Sequence, residues 1–264
     1  MRSLIHSDIM NSMQIIFRRL AVAGAAVSGA ALFFLFSVLT GPRATGQPPS
    51  SGADSSPFNF AGEEIVYTVK LGAVSVGRAT FNYRGLQNLK GQEACLMTFY
   101  TQLARFKDME RIYSDPRTLL PLRVERDINI WPRREKIVEE YDQETFSLRV
   151  TKHEGKDPQT TSLRKKAPIH NAVLLPFYVR HVQGLSAGWS FTAELPQQQF
   201  VIKLVAIEDV KVPAGTFKAY HFESTPKKFE IWITADERRI PVKLTGTGGV
   251  GYTMVMRDYR TGAD

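Results

Sequence analysis

Residues 62–83, GEEIVYTVKLGAVSVGRATFNY, decide the fold class. Ile65, Tyr67, Val69 and Leu71 fall on one side of an extended chain and Glu64, Thr68 and Lys70 on the other, the period of two that marks a half-buried strand. From Ala73 to Tyr83 the apolar set changes parity at Gly77, passing from Val74 and Val76 to Ala79, Phe81 and Tyr83. A glycine where alternation slips signals a bulge, which bends the strand it interrupts. One-sided alternation also argues for antiparallel pairing, because parallel strands covered on both faces read as unbroken apolar runs.

The same pattern continues downstream. Leu120, Leu122, Val124, Ile128 and Ile130 alternate with Arg123, Glu125, Asp127 and Asn129, and Phe146, Leu148 and Val150 alternate with Ser147, Arg149 and Thr151. Val212-Pro213-Ala214-Gly215 sets Pro and Gly at the second and fourth places of a type I turn, joining a strand to Phe217 through Phe222. A further hairpin is expected from Phe229–Thr234 and Ile240–Leu244 around the polar tip 235–239. One short helix is expected near 174–183, with Pro176 in its first turn and Gly184 past its end. Phe177 and Val179 lie on different sides of so short a helix, whose role is a plug or cover. The expected fold is mainly β: a curved antiparallel sheet closing toward a barrel or sandwich, with one helix.

Toward the N-terminus, the run from Leu20 to Pro42 carries no charge and is framed by Arg18, Arg19 and Arg43. Leu20–Leu39 is near the roughly 20 residues a helix needs to cross a bilayer, and the arginines hold its start on the cytoplasmic side. Two readings are open: a signal peptide, with small residues Ala44, Thr45 and Gly46 before a cut at Gln47, or a retained anchor. Either Met1 or Met13 serves as the start, Met13 giving a shorter leader that reaches its apolar run through Arg18 and Arg19. Residues 41–57 are turn formers and small polar residues, a linker whose root-mean-square reach is about 25 Å. The organisation expected is an export segment over 1–46, a linker over 47–60, a single β-rich domain over 61–260 and a tail over 261–264. Such a chain is exported, either free in the periplasm or tethered to the inner membrane.

Composition narrows the chemistry. Removing Arg2, Arg18, Arg19, Arg43 and Asp8 with the leader lowers the net charge from +8 to about +5. The basic pairs Arg133–Arg134, Lys165–Lys166, Lys227–Lys228 and Arg238–Arg239 are dispersed between strands, where they read as solvated tips or, converging in space, as a face for anionic lipid or acidic glycan. Nucleic acid is not an expected partner outside the cytoplasm. Cys95 stands alone, so no intrachain disulfide forms, and it reads as a small buried hydrophobe.

The catalytic motifs fail on context. Gly184-Leu185-Ser186-Ala187-Gly188 matches G-x-S-x-G, but a nucleophile elbow needs a strand before the serine and a helix after it, and here the order is reversed. His221 and Asp236 are later triad candidates on paper, one in a strand and one at a hairpin tip. Gly246, Gly248 and Gly251 fit G-x-G-x-x-G without the helix that would receive a pyrophosphate, and read as a glycine hairpin before the strand Tyr252–Tyr259. His153, His170, His181 and His221 lack short ligand spacing, so neither a metal nor a cofactor is expected. Glu139 and Glu140 point to opposite faces of a strand and read as solvent and edge charge.

Four segments in order, GEEIVYTVKLGAVSVGRATF, YSDPRTLLPLRVER, VPAGTFKAYHFES and IWITADERRIPVKL, resemble an uncharacterised family of exported bacterial proteins, domain of unknown function 3108, over about Gly62 to Tyr259. The resemblance implies a mostly antiparallel β domain of the cell envelope and carries no catalytic residue with it. Asp115, Pro116, Leu120, Pro121 and Arg123 match one of its motifs and Pro213, Gly215 and Phe217 another, as turn and packing residues.

The leading functional expectation is a non-catalytic envelope domain whose curved sheet encloses a pocket for a lipid or other apolar component, lined by Tyr67, Phe81, Phe99, Tyr141 and Trp232. The rival is an envelope structural or interaction protein with a solid core, whose basic tips meet acidic glycan or a protein partner. A serine hydrolase using Ser186 is the third. Whether the β interior is open or filled separates the first two.

Overall fold

The computed structural model describes residues 60–153, 157–247 and 251–262. The export segment, all of the linker but residue 60 and the end of the tail lie outside the described residues. Among the described residues, no helix is long and apolar enough to cross a membrane.

The first half of the domain is a run of eight strands, β1 (Glu64–Leu71), β2 (Val74–Leu89), β3 (Gln92–Leu103), β4 (Phe106–Ser114), β5 (Pro121–Ile130), β6 (Arg133–Asp142), β7 (Ser147–His153) and β8 (Gln159–Arg164). After α1 (Leu175–Tyr178) and a 3-10 turn over Val179–His181 come β9 (Ser190–Glu194), β10 (Gln199–Val212), β11 (Gly215–Thr225), β12 (Phe229–Thr234), β13 (Pro241–Gly246) and β14 (Tyr252–Arg260). All fourteen form one antiparallel sheet in the order β8-β7-β6-β5-β4-β3-β2-β1-β14-β13-β12-β11-β10-β9. Sequence neighbours pair throughout with one exception: β8 and β9 stand at the two edges. The sheet is an up-and-down meander that is not closed: at its seam β8 and β9 form no ladder with each other, and in the segment between them Ile169 makes a parallel bridge to Glu194 of β9.

Several expectations are met by particular residues. Opposite β1, Val69 pairs with Gly77 and Lys70 with Ser75, so Val76 is the extra residue of a bulge beside Gly77. A Cβ on Gly77 would sit 2.1 Å from the Gln102 carbonyl oxygen, so the glycine admits β3 at the bend. The hairpins at 213–214 and 235–240 and the helix near 174–183 form as expected. Gly246 and Tyr252 pair across the glycine hairpin, and Tyr252 opens a strand. Phe146 departs from its strand reading and occupies the turn before β7 with φ of 54°.

The strap formed by residues 165–183 lies inside the curled sheet and divides the core in two. Ile169, Leu174 and Phe177 pack with the inner face of β1–β7, while Leu175 and Val179 pack with Ala193, Phe200, Ile202, Phe222, Ile231 and Ile233. A helix with apolar residues all round is one that is buried all round, which explains the weak periodicity of this segment. Each large side chain so enclosed contributes about 1.5–3 kcal/mol through burial.

Polar contacts fix the strap in place. Arg180 donates from Nη1 and Nη2 to Glu63 Oε2 and Oε1 at 2.6 and 2.8 Å, and from Nε and Nη2 to the Arg238 carbonyl. Its guanidinium lies 3.8 Å from the centre of the Phe60 ring. Tyr259 donates to Glu63 Oε1 at 3.0 Å, and Arg239 donates to the carbonyls of Val179, Arg180 and Val182. One ionic cluster thus joins the strap, the approach to β1, the β12–β13 hairpin and the end of β14. At the seam, His170 N donates to the Glu194 carbonyl and Lys165 Nζ pairs with Glu194 at 3.0 Å.

Because Glu63 and Arg180 are both buried, removing one partner strands the other's charge. Arg180→Met is expected to cost about 3–5 kcal/mol in urea unfolding and the added change Glu63→Gln to restore part of it; a loss under about 1 kcal/mol would deny the cluster this role.

Candidate functional site

Registry places four of the five expected lining residues on one face. Phe81 pairs with Ile65 on one side and Phe99 on the other, Phe99 pairs with Glu110, Glu110 with Arg126, and Arg126 with Ile137, which shares its face with Tyr141. Tyr67, Phe81 and Phe99 meet as a packed row: Phe81 stacks on Phe99 at 4.3 Å, and meets Tyr67 and Phe177 edge-on at 5.9 and 5.0 Å. The Tyr67 hydroxyl donates to the Pro241 carbonyl at 2.6 Å. Phe177 of the strap therefore occupies the space in front of the aromatic row. Tyr141 stands apart from the row, three strands away. Trp232 lies on the opposite face, since it pairs with Lys243, Lys243 with Val255, and Val255 with Thr68 rather than Tyr67. There it stacks on His221 at 4.2 Å, beneath Lys243 Nζ at 3.9 Å.

The inner face changes character beyond β3. Asp108 and Glu110 of β4, Arg126 of β5 and Glu139 of β6 are all buried. Arg126 donates from Nη2 to Asp108 Oδ2, its Nε stands 3.4 Å from Glu110 Oε1, and Tyr141 donates to Glu139 Oε2 at 2.5 Å. Asp108 Oδ1 has no hydrogen-bond partner among the described residues. Three carboxyl groups share one guanidinium. Burial pushes Glu110 up to about 8 and raises Asp108 and Glu139 as well, against the pull of Arg126. Near neutral pH the cluster thus retains at least one carboxyl proton.

This corrects the reading of Glu139 as a surface charge: it and Glu140 do face opposite ways, but Glu139 takes the inward side, between Ile137 and Tyr141. The available signal was parity. Arg126 sits between Val124 and Ile128, and Glu110 precedes Ile112 by two, so charged side chains fall on positions the apolar alternation assigns to the interior.

The catalytic candidates do not assemble. Ser186 is exposed in the loop before β9. His221 makes its contacts with Glu208 and Glu230, and Asp236 accepts from Thr234 and Arg238 at the hairpin tip. Two small concave openings are formed by the described residues. One of about 280 Å³ is lined by Phe60, Arg180, His181 and Arg239 among others, and one of about 240 Å³ by Phe217, Ile240, Met256 and Tyr259 among others. Both lie at the rim that carries the β12–β13 tip and the end of β14.

The opposite rim gathers basic tips. Alternating strand direction brings the β1–β2, β3–β4, β5–β6 and β11–β12 hairpins to one end, the first three contiguous. They carry Lys70, Arg105, Lys107, Arg133 and Lys228, which have no salt-bridge partner among the described residues, whereas Arg134 is paired with Asp127 and Lys227 with Glu230. Trp131 and Val74 project from the same tips, 71% and 65% exposed.

A family model described as "Protein of unknown function (DUF3108)" matches residues 66–257. No curated protein matches the sequence. Among solved structures, the chain is similar to a β-barrel-like protein of domain of unknown function DUF1849 from Brucella abortus, with a TM-score of 0.50, 9% identity, and coverage of 76% of this chain and 98% of that one. At that identity the likeness concerns the fold.

The buried acids set a pH dependence. Glu110 holds its proton more tightly folded, at about 8, than unfolded, at 4.5. Its contribution is fully present below the unfolded value and is lost as pH rises through about 8. Glu110→Gln is therefore expected to flatten the fall in Tm between pH 5 and 9 and to exceed the parent at pH 9 by roughly 3–10 °C; identical profiles would exclude a raised Glu110.

Proposed function

We propose that this chain, which belongs to the DUF3108 family, is a non-catalytic β domain of the cell envelope that docks on an anionic lipid surface through the basic hairpin rim. The observation that carries this reading is the convergence on one rim of five cations without salt-bridge partners and two protruding apolar side chains, Trp131 and Val74. Envelope location rests on the uncharged run 20–42 behind Arg18 and Arg19. The physics is that of an interfacial protein. Each Lys or Arg near an anionic surface contributes about 1 kcal/mol, screened by salt, and an indole favours the headgroup boundary, where its ring is half wet. The filled interior supports recognition outside the sheet rather than within it.

A second reading keeps Tyr67, Phe81, Phe99 and Tyr141 as the lining of an apolar ligand site, which the strap must first vacate. It is favoured by the unpaired seam between β8 and β9, the route the strap would take. Mass spectrometry of solvent extracts from protein purified out of its native host separates the two: a stoichiometric lipid supports capture, and repeated blanks count against it.

Co-sedimentation with vesicles tests the leading reading. Binding is expected on phosphatidylglycerol-containing vesicles and not on phosphatidylcholine, to be lost in about 0.5 M salt, and to fall at least 10-fold in Arg105→Glu with Arg133→Glu. Trp131→Ala should weaken it several-fold with little change in salt dependence. Equal binding to neutral vesicles, or indifference to salt, would overturn the proposal.

A further inference from the structure

On the outer face of β10–β12, His221 stands between carboxylates at both ring nitrogens. Nδ1 lies 3.2 Å from Glu208 Oε1, and Nε2 lies 3.1 Å from Glu230 Oε2. Glu208 Oε1 is itself held by Trp232 Nε1, which donates to it at 2.7 Å, and the Trp232 ring stacks on the imidazole. Glu223 shares the face of His221 and pairs across the ladder with Glu230. Like charges directly opposite in a ladder repel, and here they also face an imidazole nitrogen.

With Nδ1 against Glu208, the ring turns Nε2 toward the Glu230 and Glu223 carboxylates, and a cation held between them completes the arrangement in which a ligating histidine donates its far N–H to a carboxylate, fixing ring and tautomer.

We infer that His221, Glu223 and Glu230 form a binding site for a divalent cation of the zinc class, with Glu208 and Trp232 as the positioning residues behind the histidine. One ligand atom from each of the three lies within 4.8 Å of the others. Bonds of about 2.0–2.2 Å require separations near 3.3 Å, which small rotations of the two glutamates provide. One nitrogen and two carboxylate oxygens leave coordination positions for water. The site is independent of the basic rim's role and of the interior.

The charges facing this site are Glu208, Glu223 and Glu230 on one side and Lys203, Lys227 and Lys243 on the other. Lys203 pairs across the ladder with Glu223, and Lys243 covers the Trp232 ring. Lys227 Nζ lies 3.0 Å from Glu230 and 3.5 Å from Glu223 and is well exposed. It is the resident counter-ion, free to swing out as the metal enters. Spacing along the sequence conceals the site because the third ligand arrives by strand pairing.

Isothermal titration of the full-length chain, prepared without a histidine tag, with zinc chloride tests the site. One zinc per chain is expected, with Trp fluorescence responding through the ring stacked on His221. Affinity should fall about 10–100-fold in His221→Gln and in Glu230→Gln. Lys227→Met, which removes the competing ammonium without touching a ligand, should tighten binding several-fold. Absence of binding by the parent chain, equal affinity in the parent and His221→Gln, or unchanged affinity in Lys227→Met would each overturn the inference. Unaltered far-UV circular dichroism confirms that each variant is folded.

Discussion

The bidentate contact between Arg180 and Glu63 is the constraint on which the rest of this structure depends. It is made inside a curled sheet, where two charges survive because further hydrogen bonds support both groups: Arg180 donates to the Arg238 carbonyl and Glu63 accepts from Tyr259. Its geometry ties the strap to the first strand, the last strand and the β12–β13 hairpin at once. The strap so held connects β8 to β9, which form no ladder with each other, and the sheet stays open there. The strap's apolar residues then serve two walls, Phe177 for one and Val179 for the other. The open seam, the filled interior and the buried ion pair all involve this one strap.

Much of this was legible in the sequence because strands with one wet face write their register into it. The parity slip at Gly77 located a bulge within a residue, since only a bulge lets both halves of that strand keep their apolar side inward. Pro213 and Gly215 marked a hairpin for equally local reasons. What could not be read was the partner of β1. Its pairing with β14 spans nearly the whole domain, and nothing local in either strand encodes it. The inward position of the strap was equally hidden, because four helical residues are too few for periodicity to show which sides are covered.

The candidate site divides along the same line. Aromatic residues at inward parity were identifiable one by one, and Tyr67, Phe81 and Phe99 do meet; Trp232 lies across the sheet from them because an unbroken chain of cross-strand partners carries it to the other face. The buried acids were visible as charges at inward positions, yet alternation alone treats such a residue as noise. Their meaning comes from three adjacent strands contributing to one patch around Arg126, which is a fact of pairing. The His221 cluster is hidden for the same reason: two ligands are two residues apart, and the third crosses from β12.

Function follows from where chemistry remains available. An interior occupied by the chain's own side chains supports recognition at the surface, and the basic rim supplies charge and an exposed indole in one place. That account rests on Phe177 standing against Phe81 in the protein as the cell makes it. Nuclear Overhauser spectroscopy on protein labelled at these two rings, purified from its native host with and without delipidation, tests this directly. The account predicts a cross-peak between the rings, whose centres are 5.0 Å apart, in both preparations. A cross-peak that appears only after delipidation would mean that a ligand, and not the strap, fills the sheet in the cell.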